Sequence, residues 1–151
     1  MLRHASALLA LLLGCPLLLL GCPGPSPSGD AGPPIVPSDY PSWTEVRDCR
    51  RSPDHDLAYI RVFADPSAEP VYLARDGAFP EGATLLKLEY ADPDCTDLDG
   101  MTAMVWRSGD WQWQELDADR VPFAESTGPC VACHADCGEP PDGYLGTCTA
   151  P

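Results

Sequence analysis

Residues 130–134 read Cys130-Val131-Ala132-Cys133-His134, and this C-x-x-C-H string constrains the chain more than any other feature. Two thiols at this spacing, followed at once by a histidine, are the pattern of a c-type haem attachment site. The thiols add across the two vinyl groups of the macrocycle as thioethers. The histidine is then held under the iron, where a neutral ring nitrogen serves as proximal ligand. The same string also suits a disulfide or half of a zinc site. However, no second C-x-x-C and no H-x-x-x-H stands nearby to complete a zinc site. A thioredoxin-like redox motif calls for a βαβ context that the sequence lacks.

Covalent haem attachment takes place outside the cytoplasm, and the start of the chain reads as an export signal. Met1-Leu2-Arg3-His4 is a short basic start. Ala5 to Leu20 is an apolar run interrupted by Gly14, Cys15 and Pro16, with Ser6 its one polar residue. The run is too short and too broken for a membrane span and has the form of a signal peptide. It ends Leu19-Leu20-Gly21-Cys22, similar to the lipobox of bacterial lipoproteins, where cleavage leaves the cysteine thiol for lipidation. Leu12-Leu13-Gly14-Cys15 is a second such string. Cleavage there would leave Leu17 to Leu20 on the mature chain, so Cys22 is the favoured site. An ordinary signal peptide with an incidental cysteine is the alternative. The expectation is an exported, periplasmic protein held to a bacterial membrane by its lipid.

Residues 22–41 are dense in Pro, Gly and Ser and read as a tether. The folded part is expected over 42–151, about 110 residues, enough for one domain with one core. The formal charge is −14, from 23 acidic and 9 basic residues. Nucleic acid is an unsuitable partner for such a surface. The acidity either steers a basic redox partner or keeps the domain in solution.

The chain holds eight cysteines. Cys15 and Cys22 belong to the leader, and Cys130 and Cys133 to the haem motif. Cys49, Cys95, Cys137 and Cys148 remain, which in an oxidising compartment suggests two disulfides. Three connectivities are possible. Cys49–Cys95 with Cys137–Cys148 is preferred, because the second pair would close a short tail. A second metal site, with His55, is the alternative use of these thiols.

The hydrophobic pattern is mainly that of β-structure. Leu57 to Phe63 and Ala83 to Tyr90 read as strands. In the second, Leu86, Leu88 and Tyr90 share one face, and Leu85, Lys87 and Glu89 the other. Thr102 to Arg107 and Trp111 to Leu116 form a hairpin pattern around Ser108-Gly109-Asp110. Trp111 and Trp113 point one way, Gln112 and Gln114 the other. Pro66 to Ala74 reads as a short helix with Asp65 as its N-cap, and the C-x-x-C-H as a helical turn after Pro129. The predicted class is mainly β (α+β), a small antiparallel sheet with few short helices. That differs from the small all-helical cytochromes. Lys87 is the only lysine of the chain and sits inside an apolar strand.

The strings IRVFAD, AFPEGATLLKLEY, GMTAMVWRSGDWQWQELD and CVACH together resemble the cytochrome P-460 family and its relative cytochrome c′-beta. The resemblance spans about residues 61 to 136. It implies a small, mainly β, usually dimeric periplasmic protein with haem c, its iron bound by His134 and its macrocycle attached to Cys130 and Cys133. Lys87 falls on the position of a strand lysine that bonds to the porphyrin edge in the cross-linked members. Arg61 matches an arginine of the Ile-Arg strand near the haem. For the enzymes of the family the implied activity is oxidation of hydroxylamine, with Lys87 and Arg61 as the functional side chains. For the c′-beta branch it is binding of nitric oxide or carbon monoxide beneath an aromatic cap.

The sequence departs from the enzyme pattern at one place. A distal carboxylate is expected after a Gly-hydrophobic pair, and Gly100-Met101 is followed by Thr102, which cannot act as a general base near neutral pH. Lys87 favours the enzyme and Thr102 the binder. Any phenylalanine cap comes from Phe63, Phe79 or Phe123. Asp136 lies near His134 in sequence and reads as a capping or surface residue. An electron carrier is a weaker reading, and would need a sixth iron ligand from His55, Met101 or Met104.

Overall fold

The computed structural model describes residues 32–53, 55, 57–125, 128–139 and 143–148. The leader, with Cys22 and the first part of the expected tether, lies outside the described residues. Six strands form one antiparallel sheet: β1 (Thr44–Arg51), β2 (Tyr59–Ala64), β3 (Thr84–Tyr90), β4 (Leu98–Arg107), β5 (Asp110–Asp117) and β6 (Pro122–Ala124). They lie in chain order, each strand beside its sequence neighbour. Among the described residues a one-turn 3-10 helix (Tyr40–Ser42) precedes β1, and two α-helices follow: α1 (Glu69–Ala74) between β2 and β3, and α2 (Gly128–Ala135) after β6. The domain is therefore mainly β. Among the described residues no helix is long and apolar enough to cross a membrane.

The two-residue period of the strands places a core on each face of the sheet. Leu86, Leu88 and Tyr90 of β3 pack with Phe63, Met101, Ala103 and Leu116 on the first face. On the second face Leu85 packs with Met104, Trp111 and Trp113, under Tyr72 of α1 and Phe79. β3 is thus buried on both sides except at Lys87 and Glu89. These two share the face of Leu85, and there the apolar packing gives way to polar groups.

The expected elements are present with shifted ends. β2 starts at Tyr59 rather than Leu57, because Leu57 takes a left-handed φ of 64° in the turn before it. The helix expected from Pro66 starts at Glu69. Asp65 caps the turn ahead of it, its Oδ1 accepting from the amides of Ser67 and Ala68 and its Oδ2 from the amide of Thr84. Pro70 then falls in the first helical turn, where the missing N–H leaves no bond unmade. At the β4–β5 turn Ser108 and Gly109 have φ of 54° and 84°, both positive as a two-residue type I′ hairpin requires.

The packed body takes in the end of the segment read as a tether. Val36 is fully buried against the first face. The Gln114 side chain holds this segment, accepting from the Ile35 amide (2.8 Å) and donating to the Pro33 carbonyl (3.2 Å). An apolar pair, Ile35-Val36, followed by Tyr40 and Trp43 is enough to dock a Pro-rich chain on an open sheet face.

Both preferred disulfides are formed, Cys49–Cys95 and Cys137–Cys148. Cys49–Cys95 ties edge strand β1 to the β3–β4 connection across a sequence separation of 46. Closing a loop of that length stabilises the fold by about 3–4 kcal/mol in the chain-entropy account. The double variant Cys49→Ala/Cys95→Ala should therefore unfold at a clearly lower temperature than the parent. An unchanged midpoint by circular dichroism would contradict a stabilising role for this bridge.

Candidate cofactor site

Helix α2 carries Cys130, Cys133 and His134. A three-residue spacing on a helix puts the two cysteines on one face, one turn apart. Neither is in a disulfide. Among the described residues no three His, Cys, Asp or Glu side chains group as a metal-ion site, so nothing there completes a zinc set around them.

His134 is held from the C-terminal segment. Its Nδ1 lies 2.6 Å from the carbonyl oxygen of Gly146. A carbonyl only accepts, so Nδ1 carries the proton and Nε2 keeps the lone pair, as in metal-binding histidines oriented by a backbone acceptor. Burial is the main effect on the ring and holds it below the ordinary histidine pKa. The Gly146 carbonyl opposes this, and the Lys87 charge adds to it. The outcome is the neutral imidazole that a metal needs.

The tryptophans of β5 fix this arrangement. The Trp113 ring meets the His134 ring edge-on at 4.5 Å. Trp111 Nε1 donates to the Leu145 carbonyl at 2.7 Å, next to Gly146. The Cys137–Cys148 bridge closes the same segment onto the end of α2.

Across from His134, Lys87 Nζ and Glu89 Oε1 form an ion pair at 2.9 Å. The Thr102 hydroxyl, opposite Lys87 in the β3–β4 register, donates to the same Glu89 oxygen at 2.9 Å. Burial pushes the Glu89 carboxyl up. The Lys87 charge and hydrogen bond, the Thr102 hydroxyl and the charge of His55 outweigh it, and the pKa lies below the ordinary value.

Two cavities open on this face and share His55, Lys87, Thr102, Trp113 and His134 as walls. The larger, about 740 Å³, is also walled by Cys130, Cys133, Glu89 and Phe123. That volume is in the range of pockets that hold a cofactor-sized molecule. The smaller, about 360 Å³, is walled by Arg47, Arg50 and Arg51 of β1. Guanidinium groups in such a place suit carboxylates. Two non-disulfide cysteines on one helix face, an oriented neutral imidazole, a large adjoining cavity and a basic wall fit a covalently held haem. Cys130 and Cys133 would attach it, His134 would bind its iron, and the arginines of β1 would meet its propionates.

The structure therefore brings together Cys130, Cys133, His134 and Lys87. It does not bring Arg61. That residue pairs with Leu88 in the β2–β3 register and so lies on the first face, away from both cavities. Arg61 is engaged there by the Glu45 carboxylate at 2.7 and 2.6 Å, with its guanidinium 5.4 Å from the Phe63 ring centre. Of the three phenylalanines only Phe123 walls the larger cavity, since Phe63 is in the first core and Phe79 packs against Trp106 and Trp111. Asp136 is exposed just past α2. Sequence reasoning passed over Glu89 as a site residue, although its two-residue offset from Lys87 was the available signal. Nothing in the sequence signalled the β1 arginines.

Compared with known proteins, the chain matches no family model and no curated protein.

The Glu89 pair has a consequence for acid stability. Because its folded pKa is depressed, its contribution is complete above the ordinary glutamate value of 4.5 and is lost as pH falls through the lower folded value. Glu89→Gln should flatten the fall of unfolding free energy as the pH is lowered below 4.5. An acid limb identical to that of the parent would show that the pair does not contribute.

Proposed function

We propose that this protein is an exported c-type haem protein that binds small nitrogen ligands, hydroxylamine or nitric oxide, and oxidises them. One observation carries the reading: Cys130, Cys133 and an oriented, neutral His134 wall the same large cavity as the Lys87–Glu89 pair. The sequence resemblance to the cytochrome P-460 family points the same way. So does the export signal, from which a lipid anchor at Cys22 and a periplasmic location follow. The usual family state makes a homodimer the expected assembly, and the acidic surface suits a basic redox partner.

When bound, the haem supplies an iron that takes a small ligand and passes electrons on. The chain supplies the rest. His134 would bind the iron, with its ring fixed by Gly146 and Trp113. Lys87 is the side chain that the resemblance assigns to the porphyrin edge. Glu89 provides the carboxylate that Thr102 cannot. It is ionised at neutral pH and bonded to the Thr102 hydroxyl, so a proton released by a bound nitrogen ligand has an acceptor in the cavity wall.

A second reading, a c′-beta-type protein that binds nitric oxide or carbon monoxide without turnover, draws on Phe123 in the wall of the larger cavity. The reduced protein, made in a host with haem c maturation, separates the two. A strongly red-shifted ferrous Soret band, lost in Lys87→Arg, together with hydroxylamine-dependent reduction of an artificial acceptor that falls at least tenfold in Glu89→Gln, is the expected result. An ordinary high-spin c-type spectrum that responds to nitric oxide, with no hydroxylamine turnover, would overturn the enzyme reading in favour of the binder.

A further inference from the structure

We infer that Trp111 is a positioning residue for the haem iron. Acting through Leu145 and Gly146, it holds the Gly146 carbonyl against His134 Nδ1 and so strengthens His134 as an electron donor to the iron. The inference rests on the proposed haem at His134 and deepens it.

The segment 143–148 that follows α2 is sharply bent. Leu145, Gly146 and Cys148 take φ of 47°, 78° and 45°, all left-handed. Leu145 and Cys148 carry a Cβ, and such residues stay in this region only where their surroundings hold them there. The Leu145 amide donates to the Gly138 carbonyl at 3.1 Å. Thr147 donates to the Tyr144 carbonyl from its amide at 3.1 Å and from its hydroxyl at 2.7 Å. The Cys137–Cys148 bridge fixes the far end. Trp111 holds the middle, its Nε1 donating to the Leu145 carbonyl at 2.7 Å.

The indole also lies directly against the Gly146 backbone. A Cβ built on Gly146 would stand 3.4 Å from Trp111 Cδ1 and 3.6 Å from its Nε1. The indole is in turn packed in place, buried and met edge-on by Phe79 at 4.8 Å and by Trp106 at 5.1 Å. The peptide before Gly146 is therefore fixed by Trp111, and the peptide after it by the Thr147 amide. With both held, the Gly146 carbonyl meets His134 Nδ1 at 2.6 Å.

A short bond from Nδ1–H to a fixed acceptor gives an imidazole part of the character of an imidazolate and raises its basicity toward a metal at Nε2. A stronger donor favours ferric over ferrous iron and lowers the reduction potential, one of the levers a protein has on a haem. β5 thus serves the iron twice. Trp113 meets the His134 ring itself, whereas Trp111, which walls neither cavity, sets how strongly that ring donates.

The test uses the full chain carrying covalent haem, read by resonance Raman of the ferrous form and by redox titration, neither of which needs turnover. The parent should show an iron–histidine stretch above that of ferrous haem bound to 2-methylimidazole. Trp111→Phe keeps a ring but removes the donor. It should lower that frequency and shift the reduction potential upward. Trp106→Phe trims the same aromatic cluster without removing the Leu145 bond and should leave both at the parent values. The sign separates this effect from plain loss of packing, because water admitted by a loosened core stabilises the more highly charged ferric iron and shifts the potential down. Parent values in Trp111→Phe, a downward shift, or equal shifts in both variants would overturn the inference. If Trp111→Phe does not fold, the parent decides, and a stretch at or below that of the 2-methylimidazole complex would overturn it. Haem content and the band itself keep the two claims apart. Covalent haem whose iron–histidine stretch ignores Trp111 removes this inference alone, whereas absence of covalent haem, or of any iron–histidine band in the loaded ferrous parent, removes the reading beneath it.

Discussion

The pairing of β3 with β2 on one side and β4 on the other sets the positions of everything else in the molecule. β3 lies within the sheet and is packed on both faces, so a register slip by one residue would drive Lys87 and Glu89 into the first core. In the observed register these two point to the second face, opposite Thr102 and Gly100 of β4. A half-buried lysine and glutamate are tolerated because they pair with each other and with the Thr102 hydroxyl. The apolar packing stops there and a cavity takes its place. The site is thus a local interruption of an otherwise two-sided core.

The second determinant is the C-terminal segment. α2 is a short helix whose exposed Val131 and half-buried Cys130 give it little core of its own. Its orientation comes from outside. The Trp111 indole holds the Leu145 carbonyl, the Gly146 carbonyl holds His134, and the Cys137–Cys148 bridge joins the segment to the helix. The two β5 tryptophans, which look like plain core from their alternation, also serve to place the histidine. Here the fold and the chemistry share residues.

Much of the sheet was legible in the chain because β2 to β5 alternate cleanly between apolar and polar positions. β1 was not. Its sequence TEVRDCRR carries charge at five of eight positions, and only Val46 and Cys49 are apolar. Charge of that density suits an edge strand, where it discourages pairing with another chain, but it hides the two-residue period. β6 has three residues and no period to read. The buried end of the tether was missed because composition averaged Ile35 and Val36 into a Pro-rich stretch. Of the residues singled out in the sequence, Cys130, Cys133, His134 and Lys87 wall one cavity. Arg61 lies apart from that cavity, because a match of strings does not fix a strand's facing and its partner Leu88 turns it to the first face. The nearness of His55 and His134 depends on how a turn and a distant helix meet, which no local pattern encodes.

The central claim is that Cys130, Cys133 and His134 hold a haem. Intact-mass analysis of the protein from a host with haem c maturation, followed by peptide mapping, tests it most directly. The account predicts one haem per chain, joined by thioether bonds to the peptide that contains Cys130 and Cys133. An unmodified chain from that host, with Cys130 and Cys133 recovered as thiols or as a disulfide with each other, would contradict it.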